Sequence, residues 1–313
     1  MGILTITLNP AVDLETRTPE LVPGDKLRCT PPRVDPGGGG INVARAIHVL
    51  GGQARAAVAV GGPVGTGLVE RLRAAGHDVA PLPSPGETRQ NLSVIEEDTG
   101  AQYRFIFPGP DWRASDLDAA LEALLPLVRP GDFVVLSGSV PPGLEPWALR
   151  DLARALKAAG GAVVVDTSGA PLAEIARAGL GLKVLRMDQV EAEELVGRKL
   201  ASAEDTADVG SDLVASGAAE IAILARGAEG SVLVTSTERW FAPAAHVPVV
   251  SVTGAGDSFV AGATLALSRD MALQDVLCWG SCAASAAVTT EATELCDPDL
   301  FRVILSDCKA EPI

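Results

Sequence analysis

Short aliphatic runs alternate with helix-patterned segments along most of this chain, and that alternation restricts the fold more than any other feature of the sequence. The runs at 3–8, 56–60, 133–136, 162–165, 183–185 and 221–224 are rich in Val, Ile, Leu and Ala, a composition and length that suit buried strands. Between them, 41–50, 68–75, 117–128, 146–159, 190–196 and 207–216 carry apolar residues at three- and four-residue spacing, the pattern of a helix with one buried face. Strands separated by helices run parallel, so the sequence predicts an α/β fold with a mostly parallel central sheet and helices on both of its faces.

Two stretches break the rhythm, 12–34 and 89–107. Within the second, NLSVIEEDTGAQYRFIF reads as two short strands joined by a Glu-Asp-Thr-Gly turn. Both are expected to be antiparallel excursions forming a small β-flap over the C-terminal strand edge, where open α/β sheets hold their ligands. Repeats, low-complexity tracts and long linkers are absent, and the 313 residues are expected to form one domain, 1–313, with that flap as its appendage.

Composition narrows the partners. The chain has 25 basic and 40 acidic residues, net −15, which argues against nucleic acid and anionic membrane. The longest uncharged stretch, 276–290, falls short of the ~18 apolar residues of a membrane span, and the N-terminus lacks the basic and small-residue marks of an export signal. A cytoplasmic protein is expected. Five cysteines, an odd and scattered set without CxxC, indicate neither a disulfide framework nor a zinc site. Any metal should therefore be held by oxygen.

The sharpest local signal is TGAGDS at 253–258, leading directly into the helical pattern 259–267. Small residues before a helix leave backbone N–H groups open to an anion, and the helix dipole favours negative charge there. Asp257 would either cap that helix or face the anion and take a proton from an attacking hydroxyl. PGGGGINVAR at 36–45 is a glycine run entering a second helix, and it matches neither a Walker A loop nor a dinucleotide fingerprint. It would be a flexible connection, or a place where backbone approaches a polyol with Asn42 as a side-chain partner.

Four cations on the flap segments, Lys26, Arg28, Arg89 and Arg104, would form a phosphate clamp if the flap folds as expected. Ser139, in SGSVPPG (137–143), sits where a buried strand ends. Asp188 and Glu191, three apart at a strand-to-helix junction, would either cap the helix or hold water around Mg²⁺. GAEG at 227–230 would be a plain hairpin, or a loop that admits an adenine nucleotide.

In this order the motifs TLNPAVD, KLRC, PGGGGINVARAI, TRQNL, QYRF, SGSVPPG, GAEG and TGAGDS resemble the ribokinase-like sugar kinases, and more narrowly the phosphofructokinase-B group. The resemblance spans nearly the whole chain. It is nearest to the 6-phosphofructokinases of that group, since relatives acting on fructose 1-phosphate typically carry a lysine in the glycine loop where this chain has Gly39. It implies a three-layer ribokinase-like sandwich with a β-flap as lid, and an ATP- and Mg²⁺-dependent kinase, with K⁺ as a further candidate. The implied reaction phosphorylates the C1 hydroxyl of fructose 6-phosphate, with tagatose 6-phosphate or fructose 1-phosphate as alternatives. A sugar-phosphate or nucleotide sensor without turnover is the reading outside enzymes.

The same resemblance implies the roles. Asp257 would be the general base, with Gly254, Ala255 and Gly256 as the anion hole. Asp13, Gly38, Gly39 and Asn42 would hold sugar hydroxyls, with Ser139 nearby. Lys26, Arg28, Arg89 and Arg104 would bind the substrate phosphate, Lys26 from a second subunit, because flaps of this family pair into a dimer clasp. Gly227, Gly230, Thr253, Thr290 and Arg186 with Asp188 would border the nucleotide. The chain departs from the family pattern at Arg186-Met187-Asp188, where Lys-Pro-Asn is usual. Thr290 and Ala292 replace an Asn and a Gly, and Ala225 replaces a hydroxyl residue.

Overall fold

The first strand of the chain lies in the interior of the main sheet. In the computed structural model, which describes residues 1–291 and 294–313, β1 (Ile3–Thr7) is buried at every position and pairs in parallel with β4 (Arg55–Val60) on one side and β8 (Phe133–Ser137) on the other. Outward from β4 lies β5 (Asp78–Pro83). Outward from β8 lie β9 (Ala162–Asp166), β10 (Leu182–Asp188) and β11 (Ala219–Ala225), all parallel. The sheet of ten strands ends in three antiparallel ones, β12 (Gly230–Val234), β13 (Arg239–Pro243) and β14 (Glu311–Pro312).

Burial of both faces explains why the central runs are wholly aliphatic rather than alternating. Along β8 and β9, Val134, Leu136, Val163 and Val165 pack on one side with α3 (Ala114–Leu124), α4 (Trp147–Ala158), α5 (Gly169–Arg177), α6 (Gln189–Val196) and α7 (Ala203–Ala215). Phe133, Val135 and Val164 pack on the other with α1 (Gly39–Val49), α8 (Ala255–Ser268), α9 (Leu273–Ala287) and α10 (Pro298–Asp307). The two layers of helices on a mostly parallel sheet are those the alternation predicts. β5 went unread because DVAPLP carries two prolines, which is tolerable only at a sheet edge. α2 (Gly62–Ala74) begins six residues before its apolar pattern does.

The interrupting segments form a second sheet, in the order β3 (Arg33–Gly37), β2 (Ala11–Thr18), β6 (Arg89–Glu96), β7 (Gln102–Phe105). One expectation is corrected: the excursions are not antiparallel throughout, because β2 and β6 pair in parallel. The chain crosses β4, α2 and β5 between them, long enough for the crossover that parallel neighbours need. Asp35, Asp13 and Asn91 are register partners across β3, β2 and β6, so they form one row on one face of this sheet.

Helices α8 and α9 meet most closely at Gly262, where a Cβ would stand 2.5 Å from the Trp279 carbonyl oxygen. A Gly262→Ala variant should lose about 1–3 kcal/mol of stability in denaturant unfolding. By contrast Gly67→Ala, in α2 with nothing within 4 Å of the added carbon, should gain up to about 1 kcal/mol by restricting the unfolded chain.

Candidate active site

The polar groups singled out in the sequence collect at the C-terminal ends of the parallel strands. Ser137 closes β8, Asp166 closes β9 and Asp188 closes β10, while the N-termini of α1 and α8 start on the same edge. Gly254, in the left-handed conformation with φ 79°, opens α8, and no side chain caps it. Asp257 is therefore not the cap of its helix. The first-turn amides lie at the positive end of the helix dipole, as an anion cradle requires, with that of Ala255 also donating to the Val252 carbonyl at 3.4 Å.

Instead, Asp257 points across the sheet edge to α1. Asn42 Nδ2 donates to its Oδ2 at 2.9 Å, and Ser137 Oγ stands 3.5 Å from Oδ1. Burial pushes this carboxyl up to about 7, and the neighbouring Asp166 carboxylate adds to the rise. The hydrogen bonds from Asn42 and Ser137 and the charge of Arg186 pull the other way without cancelling it. A carboxyl with that value is half ionised near neutrality, which suits a group that must accept a proton.

Arg186 is the cation of this edge. Its Nη1 donates to Asp166 Oδ1 at 3.0 Å, with both side chains largely enclosed. Burial opposes its charge, but Asp166, then Glu191 and Asp188, more than offset that and hold the guanidinium above its ordinary value. A Cβ at Gly256 would lie 3.2 Å from Nη1, so the guanidinium rests directly on the first turn of α8. Asp188 and Glu191 form a capping box: Asp188 Oδ1 accepts from the Glu191 amide at 2.9 Å and Glu191 Oε2 from the Asp188 amide at 2.8 Å. Burial is the chief reason that the Glu191 carboxyl is held above its usual range.

The glycine run is tightly packed rather than a flexible connection. Gly38 has φ 121°, and a Cβ on Gly39 or Gly40 would stand 2.4 Å from Ser137 Oγ or from the Ile6 carbonyl oxygen. The absence of side chains thus lets α1 start against β1 and β8 and carry Asn42 to Asp257. Above it, Asp13, Asn42, Arg45, Asn91, Arg104 and Thr253 line one cleft between the second sheet and the main sheet's edge.

The four cations behave differently from one another. Arg104 lines the cleft. Arg89 donates to the carbonyls of Asn9 and Phe107, both at 3.1 Å, and burial lowers its pKa while Asp13 raises it. Lys26 and Arg28 are exposed in the connection between β2 and β3 and do not line the cleft. Ser139 accepts from Asn9 Nδ2 at 3.0 Å.

On the other flank, the Val288 carbonyl accepts from the amides of Val250 and Ser251 at 2.7 and 3.1 Å, tying the approach to Gly254 to the end of α9. The Thr290 hydroxyl lies 2.8–3.1 Å from the carbonyls of Ala287, Glu294 and Leu295, and Ala292 lies outside the described residues. Gly230 is required by the β12–β13 pairing, since a Cβ would meet the Ala242 carbonyl oxygen at 2.2 Å, whereas Gly227 has open space around it. Sequence reasoning did not single out Ser137, Asp166, Arg45, Asn9 or Asn91. The first two carry a usable signal, a polar residue closing a buried aliphatic run.

With this geometry in hand, the comparisons with known proteins are decisive about kinship. The model of the pfkB family carbohydrate kinases matches residues 4–300. This chain belongs to the pfkB family. It is 37% identical over 297 residues to the ATP-dependent 6-phosphofructokinase isozyme 2 of Escherichia coli (strain K12), covering 95% of this chain and 96% of that one. Against the protein of the same name from Mycobacterium tuberculosis (strain ATCC 25618 / H37Rv) the identity is 35%, over 95% and 87% of the two chains. The crystal structure of phosphofructokinase-2 from Escherichia coli in complex with fructose-6-phosphate superposes with a TM-score of 0.89 at 36% identity, covering 98% of each chain. The family and that likeness establish the ribokinase-like sandwich.

The raised carboxyl of Asp257 also bears on stability. Between about pH 4, where it titrates when unfolded, and about 7, where it titrates when folded, the native state binds the extra proton, so its contribution falls as pH rises through that window. Asp257→Asn should therefore raise the melting temperature at pH 8, by the equivalent of up to about 4 kcal/mol, and give no such gain below pH 4. Thermal unfolding across that range measures it.

Proposed function

We propose that this chain transfers the γ-phosphoryl group of ATP to the C1 hydroxyl of fructose 6-phosphate, giving fructose 1,6-bisphosphate and ADP. The observation that carries the reading is the Asp257 carboxyl, raised to about 7, held by Asn42 at the positive end of α8, beside a cleft that presents both hydroxyl acceptors and a cation. Asp257 takes the proton as the C1 oxygen forms its bond to phosphorus and the bond to the ADP oxygen breaks. The amides of Ala255, Gly256 and Asp257, with Arg186 against Gly256, face the charge that builds on the moving group.

In this reading Asp13 and Asn42 receive sugar hydroxyls, Ser139 lies nearby, and Gly38 and Gly39 form the floor. Arg104 and Arg89 favour the sugar's phosphate. Thr253, Thr290, Gly227 and Gly230 border the nucleotide beside Arg186 and Asp188. The names of the relatives support fructose 6-phosphate, and so does Gly39, which stands where relatives acting on fructose 1-phosphate typically carry a lysine. Tagatose 6-phosphate differs only at C4 and stays as the alternative substrate to be tested.

Magnesium fits the donor set as a hydrated ion. Asp188 and Glu191 each give one carboxylate oxygen to the cap of α6, and the second oxygen of each is a hard donor suited to a water of the ion. Bound with ATP, magnesium would neutralise phosphate charge. Potassium stays a candidate beside Thr290, where the carbonyls of Ala287, Glu294 and Leu295 gather 2.8–3.1 Å from a hydroxyl whose single proton can engage only one of them. Two copies are proposed to pair through the apolar face of the second sheet, where Tyr103, Phe105 and Phe107 are 42–51% exposed, with Lys26 reaching the partner's cleft. ATP and sugar phosphates as substrates agree with a cytoplasmic protein, and no described helix is long and apolar enough to cross a membrane.

A coupled ADP-release assay with fructose 6-phosphate, tagatose 6-phosphate, fructose 1-phosphate and fructose tests the reading. Turnover should be greatest with fructose 6-phosphate and should fall about 10²–10⁴-fold in Asp257→Asn. Arg104→Ala should raise KM for the sugar phosphate roughly tenfold or more, with a smaller change in kcat. Absence of turnover with all four sugars, with binding intact, would instead support a sensor.

A further inference from the structure

The cleft contains a side chain whose two hydrogen bonds leave it no rotational choice. Asn91 Nδ2 donates to Asp13 Oδ1 at 2.8 Å, and Asn91 Oδ1 accepts from the amide of Phe107 at 3.2 Å. A carboxylate can only accept and an N–H can only donate, so the amide has one orientation. Asp13 and Asn91 are register partners on β2 and β6, and Phe107 lies just beyond the end of β7. The three strands of the cleft wall thus meet in one amide.

The other oxygen of Asp13 lies over the backbone of Gly37. Oδ2 stands 2.2 Å from where a Cβ of Gly37 would be, so Asp13 lies flat over a backbone that has no side chain. The carboxylate thus has Asn91 as its hydrogen-bond donor on one oxygen and fills, with the other, space that only a glycine at 37 leaves open.

We propose that Asn91 is a positioning residue for sugar recognition: it aims Asp13 at a substrate hydroxyl and locks the cleft wall at Phe107 to that aim. The inference rests on the proposed kinase reading, which gives Asp13 its hydroxyl. Asn91 need not touch the substrate, and its effect runs through Asp13. The charged groups that share the Asp13 face are Glu15, Arg17, Arg33, Asp35, Arg45, Arg89 and Arg104, all of which stay in place in the variants below.

Dissociation constants for fructose 6-phosphate, read by calorimetry so that the titration of Asp257 in turnover does not intrude, provide the test. Asn91→Ala should weaken sugar-phosphate binding about tenfold, in line with loss of a hydrogen bond to a charged group, while leaving the affinity for ATP within about twofold. In an Asp13→Ala background the same change should have no further effect, because nothing remains to be aimed. Asn91→Asp is the more specific probe. Two carboxylates side by side share a proton only at low pH, so binding should be poor at pH 8 and recover toward the unmodified protein's value near pH 5.5, as the protonated member donates to the other. Unmodified protein, measured in parallel, shows no such recovery.

Wild-type affinity in Asn91→Ala, additive losses in the double variant, or a pH-independent defect in Asn91→Asp would each overturn the proposal while leaving the kinase reading intact. Failure of the unmodified protein to bind any sugar phosphate would overturn the kinase reading, and this inference with it.

Discussion

The hydrogen bond between Asn42 and Asp257 joins residues 215 positions apart, and the organisation of the cleft depends on it. One partner sits near the N-terminus of α1, the other in the first turn of α8, and both helices pack on the same face of the main sheet. Neither helix could bring its residue there with a bulkier start. Gly39 and Gly40 let α1 begin against β1 and β8, and Gly254 turns the chain into α8 through a left-handed residue. The contact therefore reports that two glycine-dependent helix entries and several parallel strands are all in register at once. It also moderates the carboxyl, since a donor to the charged form opposes the burial that raises it.

Charge is arranged against the grain of the whole molecule. A chain of net −15 repels polyphosphates at long range, yet Arg186 near the end of β10 lies against the first turn of α8, and Arg104 of β7 and Arg45 of α1 line the cleft. The buried partner of Arg186, Asp166, has two opposite effects: it sustains the guanidinium's charge and, by repulsion, helps raise the Asp257 carboxyl. One carboxylate thus tunes both the cation and the base, and the arginine in place of the family's usual lysine offers two parallel donors where an ammonium offers a point charge.

Much of this was legible in the sequence because the relevant signals are local. Aliphatic runs mark buried strands, the TGAGDS turn marks a helix entry open to anions, and the alternation gives the layers. The paired Asp188 and Glu191 read in the sequence as a possible cap, and they form that cap in the structure. What escaped was relational. Asn91 looks like an ordinary strand residue until β2 and β6 are known to pair in parallel. Arg45 reads as the polar face of α1 until the second sheet covers it, and Asp166 is simply the last residue of a valine run. Even the glycines, read as ligand-approaching backbone, are first explained by helix packing, which a sequence cannot distinguish without knowing what lies behind them. Lys26 and Arg28 show the converse: similar in sequence to the other flap cations, they end on an exposed connection and not in the cleft lining.

The parallel pairing of β2 with β6 also sets an order of assembly. β2 leaves the ribosome early, but its neighbour emerges only after β4, α2 and β5 have been made. Until then β2 has just the short β3 beside it, and a two-stranded ribbon is barely stable alone. The cleft wall is thus completed when only β1, β4 and β5 of the ten main-sheet strands have been made, and the strands ending in Ser137, Asp166 and Asp188 follow it, so a nascent chain carries the sugar-facing wall before the edge that wall closes over.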